Sequence, residues 1–434
     1  MKNYFLILIL ILSVSIEQFA ANNPHNSDLF WVVTPNSKDW TYNIGEDAIL
    51  AFSIYKYGVP IDEIEVNYTT GLELMPAETK GVFKIKNGVG KLNIGTLKSS
   101  GFKECRLSIN IDGKTDKHHI KVGFEPEKIV PYTKLPKDFV SFWESEKAKA
   151  EKCPYYIEKT YEPKYSSEKI DCYLVKIQVH KRGEFVYGYL TMPKAKGKYP
   201  VVIAPPGAGV KPMDPLKDLF YSENGLIRFD MEIHGIRPDL SRDDYTEISR
   251  AFGRGNNSYL ANGLDNKDNY YMKKVYLSFN RVIDFLTSLD EWDGKNVIAQ
   301  GGSQGGALAI VAAALDERVN VCAANHPALS DMAGFKAGRT GGYPHFYTKF
   351  NGMDTPEKIE TMAYYDVVNF ARQLKVPTFI TWGFNDDVCP PTTSYAVYNV
   401  ITSEKEALIT PINEHWISAT TRREIMNWIK SKLK

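Results

Sequence analysis

The sequence is poor in features that would stabilise a fold through covalent or metal links. Its five cysteines are dispersed and none forms a Cys-x-x-Cys pair, which argues against a disulfide framework and against a structural zinc site. No His-Glu-x-x-His motif and no cluster of aspartates and histidines is present in the sequence. We therefore expect buried free thiols, and neither a metal nor a cofactor.

An excess of charge of one sign is also lacking. The 53 lysines and arginines nearly balance the 52 aspartates and glutamates, which leaves a formal net charge of +1. This balance gives no reason to expect nucleic acid or an anionic membrane as a partner. What the sequence does have is length and apolar content. Its 434 residues, 43% of them hydrophobic, predict packed cores in two domains.

The one long apolar run lies at the amino terminus. Lys2 precedes apolar residues 5–12, and Ala20 and Ala21 follow a short polar stretch, a pattern typical of a signal peptide over residues 1–21. The run is shorter than the roughly 18 apolar residues that a membrane-spanning helix needs. We therefore expect a secreted or periplasmic protein with no membrane association after cleavage. An uncleaved anchor is the alternative, because no clean small-x-small cleavage site is present.

Residues 22–123 carry the pattern of an all-β domain. Short runs of alternating polar and apolar residues are separated by Asn-Gly and Asp-Gly turns at residues 87–88 and 112–113, as in a β-sandwich. We expect an immunoglobulin-like fold, used either for packing and spacing or for binding carbohydrate or a partner. The proline-punctuated residues 124–136 predict a linker to the next domain.

Residues 137–434 change to alternating strand and helix patterns. Eight apolar, strand-like runs alternate with amphipathic segments, the longest of which places Val275, Phe279 and Val282 on one helix face. Such alternation predicts a mostly parallel sheet with helices on both faces and with functional groups on loops at the strand carboxyl ends. The two leading strands are joined by a short turn, which predicts an antiparallel start to the sheet.

A glycine-rich stretch at residues 297–306 joins a predicted strand to a predicted helix. It contains the pattern Gly-x-Ser-x-Gly, with Gly301 and Gly305 around Ser303. In a nucleophile elbow these glycines let the strand and helix approach, and the strained turn lifts the serine hydroxyl toward solvent. The context therefore predicts an α/β-hydrolase fold with Ser303 as nucleophile. The alternative is a packing turn whose serine merely caps the helix.

A serine nucleophile needs a base, and the base needs a carboxylate. The α/β-hydrolase fold places them along the chain in the order serine, acid, histidine. Asp386 and Asp387 follow a predicted strand, and His415 is the only one of the eight histidines that lies beyond them. We therefore predict a triad of Ser303, Asp386 and His415, with Asp387 as the alternative acid.

The oxyanion hole requires two main-chain amides close to the nucleophile. One is the amide of Gln304, which follows the serine at the start of the helix, where negative charge is stabilised. The second should come from the turn after an earlier strand, and Pro205, Pro206 and Gly207 stiffen such a turn. We therefore predict that the amides of Ala208 and Gln304 form the hole.

Several longer motifs over residues 130–434 are more specific than the elbow alone. They read "LPKDFVSFWE", "YGYLTMPK", "YYMKKVYLSFNRVIDFL", "GGSQGGALAIVAAALDERV", "ALSD" and "DDVCPPTTSYAVYN". This set resembles the acetyl xylan esterase and cephalosporin C deacetylase family, which is carbohydrate esterase family seven. By this similarity Ser303, Asp386 and His415 match the family triad, and Ala208 takes the place of the family's oxyanion tyrosine.

Two places depart from the family pattern. His234 and Ile236 stand where the family usually has the arginine and glutamine of Arg-Gly-Gln, and Trp416 stands where a glutamate often follows the catalytic histidine. These changes bear on pocket specificity. Together with the extra amino-terminal domain, they leave open whether this chain forms the family's ring-like hexamer. The same three residues, with the aromatic Phe252 and Tyr259, are the predicted substrate contacts. For the aromatic residues the reason is that flat aromatic faces suit pyranose rings, and ordinary packing is the alternative for each of them.

The sequence therefore predicts a secreted serine esterase that removes acetyl groups from carbohydrates through an acetyl-enzyme. Its expected partner is an acetylated carbohydrate or small ester substrate. A serine peptidase of the prolyl oligopeptidase type is one alternative, although its usual propeller cannot be built from about a hundred residues of β domain. A noncatalytic glycan-binding protein is the other alternative.

Overall fold

The computed structural model describes residues 28–434, so the predicted signal peptide lies outside the described residues. The first part of the described chain is built from strands. They are β1 (Leu29–Pro35), β2 (Thr41–Tyr42), β3 (Ala48–Lys56), β4 (Val59–Pro60), β5 (Glu63–Leu72), β6 (Thr79–Lys86), β7 (Gly90–Gly95), β8 (Gly101–Ile111) and β9 (Lys114–Phe124). The Asn-Gly and Asp-Gly turns join β6 to β7 and β8 to β9.

These nine strands form two sheets that share one core. One sheet has the order β1-β3-β4, with β7 also paired to β3, and the other has the order β2-β9-β8-β5-β6. Phe52 and Leu92 of the first sheet belong to the same buried cluster as Val66, Leu107 and Val122 of the second. The amino-terminal domain is therefore the all-β unit that the sequence predicts, and we call it the sandwich.

The rest of the chain builds a nine-stranded sheet with helices around it. Its strands are β10 (Ile157–Tyr161), β11 (Ile170–Gln178), β12 (Phe185–Pro193), β13 (Tyr199–Ala204), β14 (Ile227–Glu232), β15 (Trp292–Gly302), β16 (Val321–Asn325), β17 (Thr378–Trp382) and β18 (Lys405–Ile409). Its helices are α1 (Phe139–Ala150), α2 (Leu219–Glu223), α3 (Arg242–Ala251), α4 (Met272–Thr287), α5 (Gln304–Leu315), α6 (Phe346–Lys349), α7 (Pro356–Ala363), α8 (Val367–Ala371), α9 (Pro391–Val400) and α10 (Ala419–Ser431). We call this unit the hydrolase domain.

The strand order in the hydrolase domain is β10-β11-β12-β14-β13-β15-β16-β17-β18. The pairs from β10 to β14 are antiparallel, and all pairs from β14 to β18 are parallel. The antiparallel start is thus as expected, with β10 as an additional edge strand that the sequence analysis missed. Successive parallel strands lie on opposite sides of β13, so the order reverses there, and a crevice opens at such a point.

Alternate residues of the central strands face two different helix layers. Val201 and Val297 pack in the cluster that contains α4 and α5, whereas Val202 and Ile298 pack in the cluster that contains Ile425 of α10. Both faces of the sheet are therefore covered, which is why its strands read as continuous apolar runs.

The predicted linker is a bound segment in the structure. The amide of Thr133 donates to Asp331 Oδ1 at 2.9 Å, and Asn399 Nδ2 donates to the carbonyl oxygens of Pro126 and Ile129 at 3.0 Å each. The connection between the domains is therefore packed along the hydrolase domain. All five cysteines are buried free thiols, as expected. None of the helices within residues 28–434 combines the length and the apolar character required to cross a membrane.

Candidate active site

Five loops meet at the carboxyl edge of the parallel strands. The loops after β13 and β15 flank the point at which the strand order reverses, and those after β16 and β17 follow along the same edge. The loop after β18 joins them and carries His415. A ligand crevice is expected at this place in an open α/β sheet, because neighbouring loops diverge there.

Ser303 lies on a sharp turn between β15 and α5. Its backbone has φ 59° and ψ −124°, a conformation that serine rarely adopts. A Cβ added at Gly301 would lie 2.4 Å from the carbonyl oxygen of Gly305, and one added at Gly305 would lie 2.4 Å from that of Pro205. Only glycine fits at these two positions, so the spacing of the motif follows from the closeness of the chain segments.

The three predicted triad side chains are in hydrogen-bond contact. His415 Nε2 lies 3.0 Å from Ser303 Oγ, and His415 Nδ1 lies 2.8 Å from Asp386 Oδ2. The Asp386 side chain is fully buried, and its other oxygen accepts the main-chain N–H groups of Val388 and Cys389 at 2.8 Å each. The fixed carboxylate holds the imidazole tautomer with its proton on Nδ1, so that Nε2 can accept the proton of the serine.

The alternative acid, Asp387, points away from His415. Its carboxylate lies 2.8 Å from Lys121 Nζ and 3.3 Å from Arg106 Nη2, and both of these residues belong to the sandwich. Burial alone would raise the pKa of Asp387, but the neighbouring basic side chains, Lys121 first among them, together outweigh it and the pKa lies below its ordinary value. The structure therefore places Asp386, and not Asp387, beside the histidine.

A second histidine, His326, packs against the first and was missed by the sequence analysis. The centroids of the His326 and His415 rings lie 4.4 Å apart. Burial, followed by the neighbouring His415, lowers the pKa of His326 to about 4, so this ring is neutral at neutral pH. Its position directly after β16, at the carboxyl end of a parallel strand, is the signal that could have found it.

The predicted oxyanion donors lie on two segments that are tied together. Tyr259 Oη donates to Gln304 Oε1 at 2.6 Å and accepts the main-chain N–H of Gly209 at 3.2 Å. It thereby links the loop of residues 205–209 to the start of α5. Within residues 28–434, the main-chain N–H groups of Ala208 and Gln304 donate to no protein acceptor. Both amides are thus free to bind an external oxygen.

A cavity of about 360 Å³ opens beside the nucleophile. Ser303, Pro206, Gly209 and His326 line it on the triad side. Arg228, which is almost fully buried, also lines it and donates to Gln300 Oε1 at 2.8 Å and to Asp230 Oδ1 at 2.9 Å. The cavity therefore offers both a reactive hydroxyl and fixed hydrogen-bonding groups to a polar ligand.

Three of the predicted sugar contacts form one aromatic cluster. The His234 ring centroid lies 5.1 Å from that of Phe252 and 4.7 Å from that of Tyr259, and His234 Nδ1 lies 2.8 Å from Tyr271 Oη. His234 lines the cavity, and burial lowers its pKa to about 4. The ring of Tyr259 is buried between His234 and Tyr271. Its hydroxyl fixes the oxyanion loop, and contact of the Tyr259 ring with a sugar stays a prediction.

Of the five predicted contacts, His234 alone lines the cavity in the described part of the chain, and the remaining two, Trp416 and Ile236, lie outside its lining as Phe252 and Tyr259 do. Trp416 is 38% exposed next to the triad histidine. Ile236 is half-buried, and its main-chain N–H donates to Glu232 Oε2 at 3.0 Å. Contact of Trp416 and Ile236 with a larger substrate stays a prediction.

Two groups of residues bring metal-ligand atoms together in the described part of the chain. They are the triad residues Asp386 and His415 with the neighbouring His326, and Glu104, His119 and Asp387 where the sandwich meets the acid loop. In the first group, His415 and the Asp386 carboxylate are already hydrogen-bonded to each other. In the second, the Lys121 ammonium already lies 2.8 Å from Asp387. Both arrangements fit proton transfer or ion pairing better than a metal site.

Comparisons with known proteins agree with this geometry. A family described as acetyl xylan esterase matches residues 126–432. The chain is 51% identical to acetyl esterase Axe7A of Xylanibacter ruminicola, over 100% of this chain and 98% of that protein. The family match begins after β9, whereas the alignment with Axe7A spans both domains.

Solved structures share the hydrolase fold. The acetyl xylan esterase from Paenibacillus sp. R4 has a TM-score of 0.62 and 25% identity, covering 71% of this chain and 99% of that chain. Acetyl xylan esterase 1 from Thermoanaerobacterium sp. JW/SL YS485 has a TM-score of 0.61 and 23% identity, covering 71% of this chain and 97% of that chain. The resemblance that the motifs predict is confirmed: the chain is an ester hydrolase with an α/β-hydrolase fold and belongs to the acetyl xylan esterase family.

Proposed function

We propose that this chain removes acetyl groups from acetylated carbohydrates, xylan fragments among them, through an acetyl-enzyme on Ser303. The observation that carries the proposal is the continuous set of hydrogen bonds from Asp386 through His415 to Ser303 beside the cavity. The similarity to an acetyl esterase over the full length of the chain supports an acetyl ester as the substrate.

In the first half-reaction, Ser303 Oγ attacks the acetyl carbonyl carbon while His415 Nε2 accepts the serine proton. The bond between the acetyl carbon and the sugar oxygen then breaks, and His415 returns the proton to the departing oxygen. In the second half-reaction, a water gives a proton to His415 and attacks the acetyl carbon. Acetate leaves, and Ser303 regains its proton.

The negative charge of each tetrahedral intermediate is held by the amides of Ala208 and Gln304 in this proposal. The Gln304 amide starts α5, where unpaired amides carry partial positive charge. Because Tyr259 ties the oxyanion loop to this helix, the distance between the two donors is set before substrate binds. Donors fixed in advance stabilise a developing charge without having to reorganise.

The two alternative functions differ from this proposal in measurable ways. The nine-stranded sandwich is not a propeller, which removes the structural reason to expect a prolyl oligopeptidase. A noncatalytic glycan-binding protein would not need the histidine within hydrogen-bond distance of the serine. The esterase is therefore favoured by both domains.

Acetate release from acetylated xylo-oligosaccharides tests the proposal. The purified wild type should release acetate, and Ser303→Ala should show no turnover above background while keeping the wild-type circular dichroism spectrum. With p-nitrophenyl acetate, mass spectrometry of the quenched wild type should show one added acetyl group on the peptide that contains Ser303. Turnover by Ser303→Ala, or cleavage of a prolyl peptide substrate in place of the ester, would overturn the proposal.

We also propose that the mature enzyme acts outside the cytoplasm. The pattern of residues 1–21 supports this localisation. Amino-terminal sequencing of the protein recovered from the periplasm or medium should begin shortly after Ala21. A protein that retains Met1 in the cytoplasmic fraction would contradict it.

A further inference from the structure

The sandwich packs directly against the loop that carries the acid. The outer faces of β8 and β9 meet this loop and the start of α9, whereas the inner residues of the same strands, such as Ile120 and Val122, lie in the sandwich core. On the outer face of β9, His119 and Lys121 are two residues apart and point to the same side. This outer face is therefore where the two domains meet.

Lys121 and His119 hold the main chain on either side of the acid. Lys121 Nζ donates to the carbonyl oxygen of Asp386 at 2.7 Å. His119 Nε2 lies 2.9 Å from the carbonyl oxygen of Asn385. Because a carbonyl oxygen can only accept, Nε2 carries the proton. Two successive peptide groups of the acid loop are thus fixed by two side chains of another domain.

Asn385 extends this contact to the loop that leads to the histidine. Its Oδ1 accepts the main-chain N–H of Lys121 at 2.9 Å. Its Nδ2 donates to the carbonyl oxygen of Ile412 at 3.2 Å, and its main-chain N–H donates to the carbonyl oxygen of Asn413 at 3.1 Å. One side chain therefore links β9 to the segment that ends at His415.

The Lys121 ammonium is buried among carboxylates that keep it charged. Its side chain has no exposed surface, and Nζ lies 3.3 Å from Glu73 Oε1 and 2.8 Å from Asp387 Oδ1. Burial would lower the pKa of Lys121, but Glu73, Asp387 and Glu104 together outweigh it, so the pKa is raised. Burial also raises the pKa of Glu73, to about 7, so Asp387 is the partner that stays ionised at neutral pH. Glu73 in turn accepts the amide of Thr392 in α9 at 3.3 Å. A buried charge at this place needs well-fixed partners.

We propose that Lys121 is a positioning residue for the deacetylation, and that the sandwich, through Lys121 and His119, sets the position of Asp386 relative to His415. This inference rests on the proposed function. The matching family segment begins at residue 126, after both residues. The role therefore belongs to the added domain of this chain.

The test compares Lys121→Met with a matched buried lysine. Lys103 is also buried in the sandwich, and its Nζ donates to the carbonyl oxygen of Thr96 at 3.1 Å, within the sandwich itself. Lys103→Met therefore reproduces the loss of a buried ammonium without touching the acid loop. Full-length variants are assayed with p-nitrophenyl acetate below their melting temperatures.

We expect Lys121→Met to lower kcat by about 10- to 100-fold with KM within about twofold of wild type, because a small misplacement of a catalytic group costs this much. We also expect its downfield proton resonance from the hydrogen bond between His415 and Asp386 to shift or vanish. Lys103→Met should keep both kcat and the resonance even where it lowers the melting temperature equally. Equal kcat in the two lysine variants would overturn the inference.

His119→Leu provides the second variant, since this side chain is partly exposed whereas that of Lys121 is fully buried. It should fold even if Lys121→Met does not, and kcat should fall by about 3- to 10-fold with KM unchanged. Wild-type kcat in His119→Leu, when Lys121→Met does not fold, would also overturn the inference. If Ser303→Ala stays active, the proposed function fails instead, so the two failures are distinguishable.

Discussion

The nucleophile and the acid of this site are held in place in different ways. Ser303 is positioned mainly by its own turn, in which Gly301 and Gly305 permit close contact between strand and helix. Asp386 lies on a loop whose carbonyl oxygen is held by Lys121, 265 residues away in the chain. Local sterics fix one group and tertiary packing fixes the other. A single active site thus joins a self-contained turn to a loop that depends on a neighbouring domain.

The largest expected effect on kcat comes from replacing the triad carboxylate, Asp386, on the loop that packs against the sandwich. Asp386→Asn should lower kcat by about 10⁴-fold, because the amide favours the wrong histidine tautomer. Asp387→Asn is the matched control and should lower kcat by less than about tenfold, since this carboxylate faces the sandwich. Steady-state kinetics on p-nitrophenyl acetate measure both. Similar losses in the two variants would show that the loop does not distinguish its two acids.

Breaking the local turn should have the next largest effect. In Gly305→Ala, the added Cβ would lie 2.4 Å from the carbonyl oxygen of Pro205, so the elbow and the oxyanion loop must separate. We expect kcat to fall by about 10³-fold, as on loss of an oxyanion donor.

Gly207→Ala tests whether contact distance, and not glycine itself, matters in that loop. Its Cβ would meet only the Gly302 carbonyl oxygen, at 3.9 Å, so kcat should stay within about threefold of wild type. If Gly305→Ala were as active as Gly207→Ala, the turn would be less rigid than its contacts indicate.

The contribution of the sandwich to stability can be measured at the apolar part of its interface with the hydrolase domain. The Phe102 ring packs 4.9 Å from that of Phe384 and 5.7 Å from that of Tyr395. Phe102→Ala should lower the free energy of unfolding by about 3 kcal/mol, measured by urea denaturation. Val82→Ala, at a side chain 55% exposed on the sandwich, should cost less than about 0.5 kcal/mol.

The smallest expected effect is a pH dependence at His326. Its folded pKa of about 4 lies below the ordinary value of 6.5, so the unfolded chain takes up a proton first and stability is lost as pH falls through this window. From about pH 7 to about pH 5, His326→Gln should lose about 2 kcal/mol less unfolding free energy than wild type. Parallel stability curves of the two proteins over this range would contradict the buried neutral state.

The sequence predicts the features that are fixed by local contacts, such as the turn at Ser303. The elbow is encoded within five residues, because backbone sterics at Gly301 and Gly305 act over that distance. The order of Ser303, Asp386 and His415 follows from the order of the strands. The alternation of strands and helices and the all-β start are also predictable, because the spacing of hydrophobic residues that indicates them is contained in short stretches of sequence.

The features that depend on contacts between distant parts of the chain could not be predicted from the sequence pattern. Asp386 and Asp387 are neighbours in the same turn, and what separates their roles is the position of Lys121 in another domain. His326 reaches the triad only because β16 and β17 are adjacent in the sheet. The burial of Tyr259 could not be predicted either, because it depends on His234 and Tyr271, which come from other segments.

The backbone of Ser303 has a consequence for the helix that follows it. Ser303 occupies the N-cap position of α5, yet its side chain makes no capping hydrogen bond, although serine is among the preferred capping residues and such a bond stabilises a helix by about 1 kcal/mol. The elbow turns the hydroxyl outward to His415, so within residues 28–434 the first amides of α5 have no capping partner. In the proposed reaction, the tetrahedral oxyanion accepts the N–H of Gln304, the first of these amides. The start of the helix therefore gains a hydrogen-bond acceptor only while the ester is being cleaved.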